Sequence, residues 1–248
     1  MNRFTVQYAT AALALLALPL TGCSQDPAQT ADKDSDGFYT YTDSNYDGIG
    51  KNYMGRDISY VMGHQGAGWL ERKGRVQEER TDLLLANLPI NPGDSVADIG
   101  AGTGYFSLPM AGIVGDSGTV YSVDIQPEML AIIEARSNDM GIKNITRVLA
   151  TEKDPQLPAD TLDLVLFVDA YHEFEWPREV MTGVYNSLVS GGKVILIEYR
   201  MEDPSVPIKR LHKMSENQAR KELEALGFQF VSNLDFLPQQ HFLVFEKP

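Results

Sequence analysis

The chain has 248 residues, 43% of them hydrophobic, which is enough for one α/β domain with a sizeable core. Its formal net charge is −13, from 21 basic and 34 acidic residues, so we do not expect nucleic acid as a partner. The single cysteine, Cys23, excludes an internal disulfide, a cysteine-rich metal site and a cysteine nucleophile in the body of the chain.

The N-terminal segment has the layout of a signal peptide. Arg3 gives a positive start, and residues 9–18 form an apolar run that is shorter than the roughly 20 residues a membrane-spanning helix needs. Residues 20–23, Leu-Thr-Gly-Cys, resemble the bacterial lipoprotein box, which implies removal of residues 1–22 and lipidation of Cys23. The expected location is therefore the bacterial cell envelope, with a lipid anchor in the membrane. An uncleaved anchor remains an alternative, as does a start at Met54, which would leave the protein in the cytoplasm.

Residues 23–52 are polar and acidic and are rich in Ser, Thr, Asp and Gly. Such a composition buries little apolar surface, so it predicts a flexible tether. The tyrosines at positions 39, 41, 46 and 53 are the one sign that part of this segment lies against the domain. Residues 32–37 resemble the start of a calcium loop but lack its glutamate and its flanking helices, so we do not predict a calcium site there.

From residue 53 onward the chain alternates helices and strands. Residues 53–90 are predicted to be a helical lid segment, with one helix over 69–88, and residues 91–248 the main domain. A packed amphipathic helix with solvated charges is the alternative to the lid. The predicted strands cover 95–99, 119–124, 145–150, 162–168 and 193–198, and the predicted helices cover 105–113, 127–141, 176–188 and 215–226.

The predicted strands are continuously apolar, as a parallel sheet covered on both faces requires. Two further strands, 228–234 and 241–246, are joined by a short loop and should pair as an antiparallel hairpin at the sheet edge. The sequence therefore predicts an α/β fold with a doubly wound, seven-stranded, mostly parallel sheet.

A glycine loop lies between the first predicted strand of this sheet and the next helix. Gly100, Gly102 and Gly104 allow a tight turn and a close approach of a ligand to the backbone. Asp124 ends the second strand, where a carboxylate can accept both hydroxyls of a ribose. The spacing G-x-G-x-G differs from the dinucleotide fingerprint G-x-G-x-x-G, and Asp98 before the loop would repel a pyrophosphate but suits a cationic ligand.

Four segments in order resemble the class I S-adenosylmethionine-dependent methyltransferase family. They are DIGAGTG at the glycine loop, VDIQPEML, DTLDLVLFVDAYHEF and GGKVILIEYR. The resemblance runs from about Leu83 to Pro248. It implies a Rossmann-like methyltransferase fold, S-adenosylmethionine as the cofactor and a small-molecule acceptor.

The resemblance also implies roles for matching residues. The loop from Asp98 to Gly104 would hold the methionine part of the cofactor, Asp124 would bind the ribose, and Ile125 would pack on the adenine. The glycines could instead serve only a structural turn, and Asp124 could instead cap the helix that begins at Pro127.

The segments after the third and fourth strands are the remaining part of the implied site. Thr151 and Glu152 would lie near the adenine ring, and Asp169 and Ala170 would face the methyl-donor pocket. His172 is the candidate general base, because its ordinary pKa is near neutrality. A histidine bonded to a loop carbonyl is the alternative. No metal site is predicted, since the His-Glu pair does not extend to an H-E-x-x-H motif.

Three functional hypotheses remain from the sequence. The first is a small-molecule methyltransferase, the second a nicotinamide-dependent oxidoreductase, and the third a non-catalytic envelope lipoprotein that binds a nucleoside-type ligand. The acceptor atom is left open among oxygen, nitrogen, carbon and sulfur, and so is the oligomeric state.

Overall fold

The structure is a computed structural model that describes Met1, residues 32–34 and residues 36–248. Apart from Met1, the described residues belong to one compact unit, Ala31–Pro248. The predicted signal segment and the lipidation site at Cys23 lie outside the described residues. Within the described residues, no helix combines the length and the apolar character needed to cross a bilayer.

The described residues form eleven strands and seven α-helices. The strands are β1 Asp32–Lys33, β2 Tyr39–Tyr41, β3 Gly48–Tyr53, β4 Arg56–Ser59, β5 Ser95–Ile99, β6 Thr119–Asp124, β7 Ile145–Leu149, β8 Leu162–Val168, β9 Leu188–Tyr199, β10 Gln229–Asn233 and β11 Gln240–Glu246. The helices are α1 Ala67–Leu70, α2 Arg75–Glu79, α3 Thr81–Ala86, α4 Ser107–Val114, α5 Pro127–Met140, α6 Pro177–Ser187 and α7 Glu216–Glu224. Short 3-10 turns lie at His64–Gly66, Tyr171–Glu173 and Arg210–His212.

The main sheet has seven strands in the order β10-β11-β9-β8-β5-β6-β7. Strand β11 runs antiparallel to both of its neighbours, and the other pairs are parallel. This confirms the predicted doubly wound sheet and its C-terminal hairpin. The chain order reverses between β5 and β8, so the carboxyl ends of these two strands frame a crevice where ligands bind in open α/β sheets.

Helices cover both faces of this sheet. On one face, Met181 of α6 and Leu223 of α7 pack in the same buried cluster as Phe167 of β8. On the other face, Leu84 of α3 and Met110 of α4 pack in a second buried cluster with strand residues. The continuous apolar strands are explained by this burial from two sides.

The predicted helix over residues 69–88 is wrong in its continuity, because the structure divides this stretch into α1, α2 and α3. Gly74 precedes α2, and Arg80 between α2 and α3 adopts a left-handed conformation with φ +54°. A left-handed residue cannot continue a right-handed helix, so the hydrogen-bond ladder is interrupted there.

The predicted flexible tether over residues 23–52 is wrong from residue 32 onward. Strands β1–β4 form a four-stranded sheet in which all neighbours are antiparallel. Tyr39, Tyr53 and Ile58 are buried in it, and the Tyr39 ring meets Trp176 edge-on at 5.5 Å. Composition predicted a polar segment, but the spacing of its aromatic residues lets one face bury large rings, which stabilises the sheet.

The folding stability of the protein should depend on pH through Lys51 of β3. Its ammonium lies 2.9 Å from the Trp176 ring centroid with no hydrogen-bond partner, and burial lowers its pKa to about 8. The unfolded chain then binds more protons than the folded chain between pH 8 and 10.5, so wild-type stability should rise with pH relative to Lys51→Met. Thermal melts of both proteins from pH 7.5 to 10 check this, and parallel curves would contradict it.

Candidate cofactor and acceptor site

A cavity of about 560 Å³ opens at the carboxyl ends of the central strands. Four neighbouring strands each contribute their last residue to its lining, namely Ile99 of β5, Asp124 of β6, Val168 of β8 and Tyr199 of β9. Its volume is in the range of sites that enclose a small molecule or cofactor. The cavity coincides with the crevice that the strand order predicts.

The glycine loop forms one wall of the cavity in a conformation that requires glycine. Gly100, Gly102 and Gly104 have φ values of +72°, +54° and +78°. A Cβ at Gly100 would lie 2.7 Å from the Ala170 side chain, and one at Gly102 would lie 2.6 Å from Leu70. The loop therefore presents bare backbone to the cavity, as close contact with a cofactor requires.

Asp124 braces the loop and retains capacity for a ligand. One carboxylate oxygen accepts the Gly102 N–H at 2.9 Å, and the other accepts the Gln126 N–H at 2.9 Å. A carboxylate has about four acceptor positions, so about two remain for hydroxyl groups in the cavity. Burial raises the pKa of Asp124, and the backbone donors oppose that rise.

Asp98 does not line this cavity. Its carboxylate accepts the Ser107 hydroxyl at 2.6 Å behind the glycine loop, and burial raises its pKa to about 6. The Asp98 side chain points toward the start of α4, so it links β5 to α4. Direct contact between Asp98 and a cofactor stays a prediction, which its hydrogen bond to Ser107 does not support.

The three residues assigned to the adenine end all line the cavity. Ile125 is 41% exposed and follows Asp124 at the rim. The Thr151 hydroxyl accepts the Asp154 N–H at 3.0 Å and so fixes the turn after β7, and Glu152 lies exposed beside it. These positions can form the outer side of a nucleoside pocket, with Ile125 supplying apolar contact.

Asp169 carries the clearest sign of an absent partner. It adopts φ +50°, which is costly for a residue with a side chain. One of its oxygens accepts from Gln240 at 2.8 Å, while the other oxygen is buried with no hydrogen-bond partner. Burial and the nearby Glu79 and Glu198 carboxylates raise its pKa well above the ordinary value. A cavity-lining acceptor without a partner, beside bare backbone and Asp124, fits a cofactor with a cationic and polar tail.

His172 also lines the cavity and is buried. Its Nδ1 is 2.6 Å from a Glu198 carboxylate oxygen, and its Nε2 is 3.2 Å from His212 Nδ1. Burial lowers the pKa of His172, but Glu198 outweighs this effect and the pKa lies above its ordinary value. The alternative of a histidine bonded to a loop carbonyl does not hold, because its ring partners are Glu198 and His212.

The chain segment before α2 covers the cavity. The Glu71 carboxylate accepts the Thr103 hydroxyl and pairs with Arg136, each at 2.5 Å. Gln126 accepts the His64 N–H at 2.7 Å and donates to the Met62 carbonyl at 3.0 Å. Residues 60–72, called the lid below, are thus fastened to the glycine loop and to the segment after β6, and a lid role for the whole stretch 53–90 stays a prediction.

A change at the lid fastening should speed the exchange of a bound cofactor. Glu71→Gln weakens the contact with Arg136 and the loop, so we expect S-adenosylmethionine to dissociate several-fold faster while its association changes little. Stopped-flow displacement measures both rates. Glu134→Gln, which removes an exposed ion pair of α5 with Arg147, is the matched control. Equal dissociation rates in both variants would show that the lid is not held by Glu71.

Glu79 links the lid to β9. Glu79 of α2 is buried and pairs with Arg75 at 2.9 Å and with Arg72, and it accepts the Tyr199 hydroxyl at 2.8 Å. Glu79, Tyr199 and Glu198 were not among the predicted site residues. Glu198 and Tyr199 end β9 at the same sheet edge as Asp169, and that position was the signal that could have identified them.

The fold and this cavity define a nucleoside-cofactor-binding α/β domain. A family model described as a methyltransferase domain matches residues 90–239, which is more than half of the chain. The chain therefore belongs to this family of S-adenosylmethionine-dependent methyltransferase domains, and the resemblance seen in its motifs is confirmed.

Curated relatives match shorter stretches. A protein-L-isoaspartate O-methyltransferase of Fervidobacterium nodosum is 37% identical over 72 residues, 29% of this chain and 36% of that protein. A ubiquinone/menaquinone biosynthesis C-methyltransferase, UbiE, of Wigglesworthia glossinidia brevipalpis is 24% identical over 48% of each chain. The chain spans about half or less of the length of these two relatives.

Among solved structures, a SAM dependent methyltransferase from Aquifex aeolicus has a TM-score of 0.71 and 20% identity. It covers 76% of this chain and 100% of its own. The [4+2]-cyclase SpnF has a TM-score of 0.55 and 18% identity over 62% of this chain. These likenesses confirm the fold.

Proposed function

We propose that the protein transfers a methyl group from S-adenosylmethionine to a small-molecule acceptor. The observation that carries the proposal is one cavity lined by two different groups of residues. Gly100, Gly102 and Asp124 line the part proposed for the cofactor, and His172, with Glu198 bonded behind it, lines the part proposed for the acceptor, called the acceptor end below. A cofactor and an acceptor can therefore meet in one cavity, with Met62 and Leu70 of the lid forming part of its wall.

The cofactor supplies an activated methyl group, so the protein's task is chiefly to bind, orient and exclude water. Asp124 offers acceptor positions to the ribose, and the bare loop at Gly100 and Gly102 offers backbone contact. The unpartnered oxygen of Asp169 is proposed to hold the cationic tail of the cofactor. Where the acceptor carries a proton, His172 is proposed to take it, with Glu198 fixing the ring through Nδ1.

The closed lid supports a small acceptor over a macromolecule. Leu70 and Glu71 lie against the glycine loop, and the acceptor end at His172 is almost fully buried. A folded protein or a nucleic acid could not place a reactive group there without displacement of the lid. The relatives include a quinone-biosynthesis C-methyltransferase, which supports an organic acceptor of moderate size.

Calorimetry on the full chain, purified in detergent, tests the proposal. We expect S-adenosylmethionine and its demethylated product to bind with one site per chain, and NAD not to bind. Incubation with a panel of quinols, phenols, amines and thiols should then produce the demethylated cofactor with at least one of them. Binding of NAD alone would select the oxidoreductase hypothesis.

Cofactor binding without turnover on any acceptor would favour the non-catalytic envelope lipoprotein. The His172→Asn variant separates these readings further. A catalytic role predicts that it retains cofactor affinity and loses turnover, whereas a binding protein shows no turnover to lose.

We also propose that the protein is lipid-anchored in the bacterial cell envelope through Cys23. The support is the apolar run over residues 9–18 followed by Leu-Thr-Gly-Cys. Expression with a radiolabelled fatty acid and fractionation of membranes test this, with Cys23→Ser as the comparison. We expect label and membrane association in wild type and neither in the variant. Unchanged partitioning would contradict the lipid anchor.

A further inference from the structure

Three side chains from two separate turns converge at the acceptor end of the cavity. His172 and Glu173 belong to the 3-10 turn Tyr171–Glu173, and His212 ends the turn Arg210–His212. Nε2 of His172 lies 3.2 Å from Nδ1 of His212. A Glu173 carboxylate oxygen lies 3.8 Å from the first nitrogen and 3.7 Å from the second. The three atoms form a nearly regular triangle, and all three residues line the cavity.

This triangle has the size that a metal ion requires. Zinc binds imidazole nitrogens and carboxylate oxygens at about 2.0–2.2 Å, and two ligands at a tetrahedral angle are then roughly 3.3–3.5 Å apart. The observed separations exceed that range by only a few tenths of an ångström at two of the three edges. Small side-chain rotations would therefore bring all three atoms onto one ion.

Both histidines have a carboxylate on the ring nitrogen that faces away from the triangle. Glu198 lies 2.6 Å from His172 Nδ1, and Asp47 lies 3.3 Å from His212 Nε2. Metal-binding histidines almost always donate their other N–H to such a partner, which fixes the ring and increases its basicity. Asp47 is held in turn by Lys209 at 2.8 Å. Both histidines thus have the carboxylate partners that metal-binding histidines have, in addition to the nitrogens that would bind the ion.

The negative charge of the carboxylates around the triangle also favours the binding of a cation. Glu173, Glu198 and Asp47 are within contact distance of the two imidazoles, and Lys209 is the cation paired with one of these carboxylates. A divalent ion would offset the negative charge of these carboxylates.

From this geometry we propose that His172, His212 and Glu173 bind a first-row divalent transition-metal ion, with zinc as the reference ion, at the acceptor end of the cavity. The ligand set of two histidines and one carboxylate leaves coordination positions open toward the cavity, as in catalytic rather than structural metal sites. Sequence spacing hid the site, because His212 is 40 residues beyond His172 and the two turns meet only in the fold.

Metal binding itself does not depend on methyl transfer, but the role of the ion rests on the proposed function. An ion at this position would bind an acceptor through oxygen or nitrogen and lower the pKa of the group to be methylated. With the ion bound, Nε2 of His172 is a ligand, so the proton-accepting role proposed above applies to the metal-free protein. Acceptors with a metal-binding group, such as a catechol or an ene-diol, fit this role.

The test measures metal binding and cofactor binding on the same preparation of the full chain. After dialysis against a chelator, titration with Zn²⁺ should give one tight site, and Co²⁺ should give the visible absorption bands of a four- or five-coordinate ion. His212→Ala and Glu173→Gln should weaken Zn²⁺ binding at least 100-fold. His64→Ala removes a partly exposed histidine outside the triangle and should leave the affinity for Zn²⁺ unchanged.

The outcomes separate the two proposals. No stoichiometric Zn²⁺ site, or equal weakening in His64→Ala, would overturn the metal centre and leave His172 and His212 as a hydrogen-bonded pair. Binding of S-adenosylmethionine in that same sample would show that the cofactor site stands alone. Conversely, a Zn²⁺ site without cofactor binding would overturn only the proposed methyl transfer. Because Glu173→Gln preserves side-chain size, its circular dichroism spectrum should match that of wild type.

Discussion

The Asp124→Ala variant should bind S-adenosylmethionine at least 100-fold more weakly than wild type. The carboxylate is proposed to accept two ribose hydroxyls, and a hydrogen bond to a charged group contributes about 1.5–3 kcal/mol. Two such bonds correspond to a loss of roughly two to four orders of magnitude in affinity. Isothermal titration of both proteins measures the change directly.

Two further variants show whether this loss is specific. Asp139→Ala removes an exposed carboxylate on α5 and should leave the affinity unchanged. Asp124→Asn keeps the shape of the side chain, and with it much of the bracing of the loop, but it removes the charge, so we expect an intermediate affinity. If Asp124→Ala bound the cofactor as tightly as Asp139→Ala, the ribose assignment would be wrong.

The second large effect concerns the stability of the chain around the site. Arg56 of β4 forms an ion pair at 2.8 Å with Glu222 of α7, and its side chain also donates to the His172 carbonyl at 3.1 Å. Both side chains of the pair are nearly inaccessible to solvent. Arg56→Met would leave Glu222 charged and buried, with only the Tyr171 hydroxyl and Gln218 as partners.

Removal of one partner of a buried ion pair costs about 3–5 kcal/mol. For a unit of this size we therefore expect Arg56→Met to lower the melting temperature by about 10 °C. Arg147→Met is the matched control, since Arg147 pairs with Glu134 on the surface, where such pairs contribute about 0–1 kcal/mol. Equal melting temperatures for the two variants would contradict the view that Arg56 joins the small sheet to the catalytic domain.

The sheet could be predicted from the sequence because its signals are local. The apolar runs of β5, β6 and β8 are bounded by glycine, proline and polar turns, and their predicted limits match the structure. The glycine loop was recognisable for the same reason, because three positive-φ positions before a helix leave a regular spacing. Each of these features is encoded within about ten residues.

The polar half of the site could not be predicted because its contacts are long-range. Glu198, His172 and His212 come from three separate elements, and only the packing of two turns against β9 brings them together. The small sheet was missed for a related reason. Its burial depends on Trp176, more than a hundred residues away in the chain. A segment whose polar composition predicts exposure to solvent therefore packs as part of the domain.

Predicted roles and observed positions also differ at one residue of the glycine motif. Asp98 matches the motif, yet its carboxylate bonds Ser107 instead of facing the cavity. Asp169, by contrast, carries the unpartnered buried oxygen in the cavity wall. A motif specifies which residue types are present, whereas the direction of each side chain is decided by the helix or strand that packs beside it.

A crystal structure of the full chain with the demethylated cofactor would show directly whether this cavity is the cofactor site. We expect density for the ribose at Asp124, for the adenine along Ile125, and for the amino-acid tail against the glycine loop beside Asp169, with the lid in place. An ordered protein that leaves this cavity empty at saturating ligand, or that binds the ligand elsewhere, would show that the cofactor site is assigned wrongly.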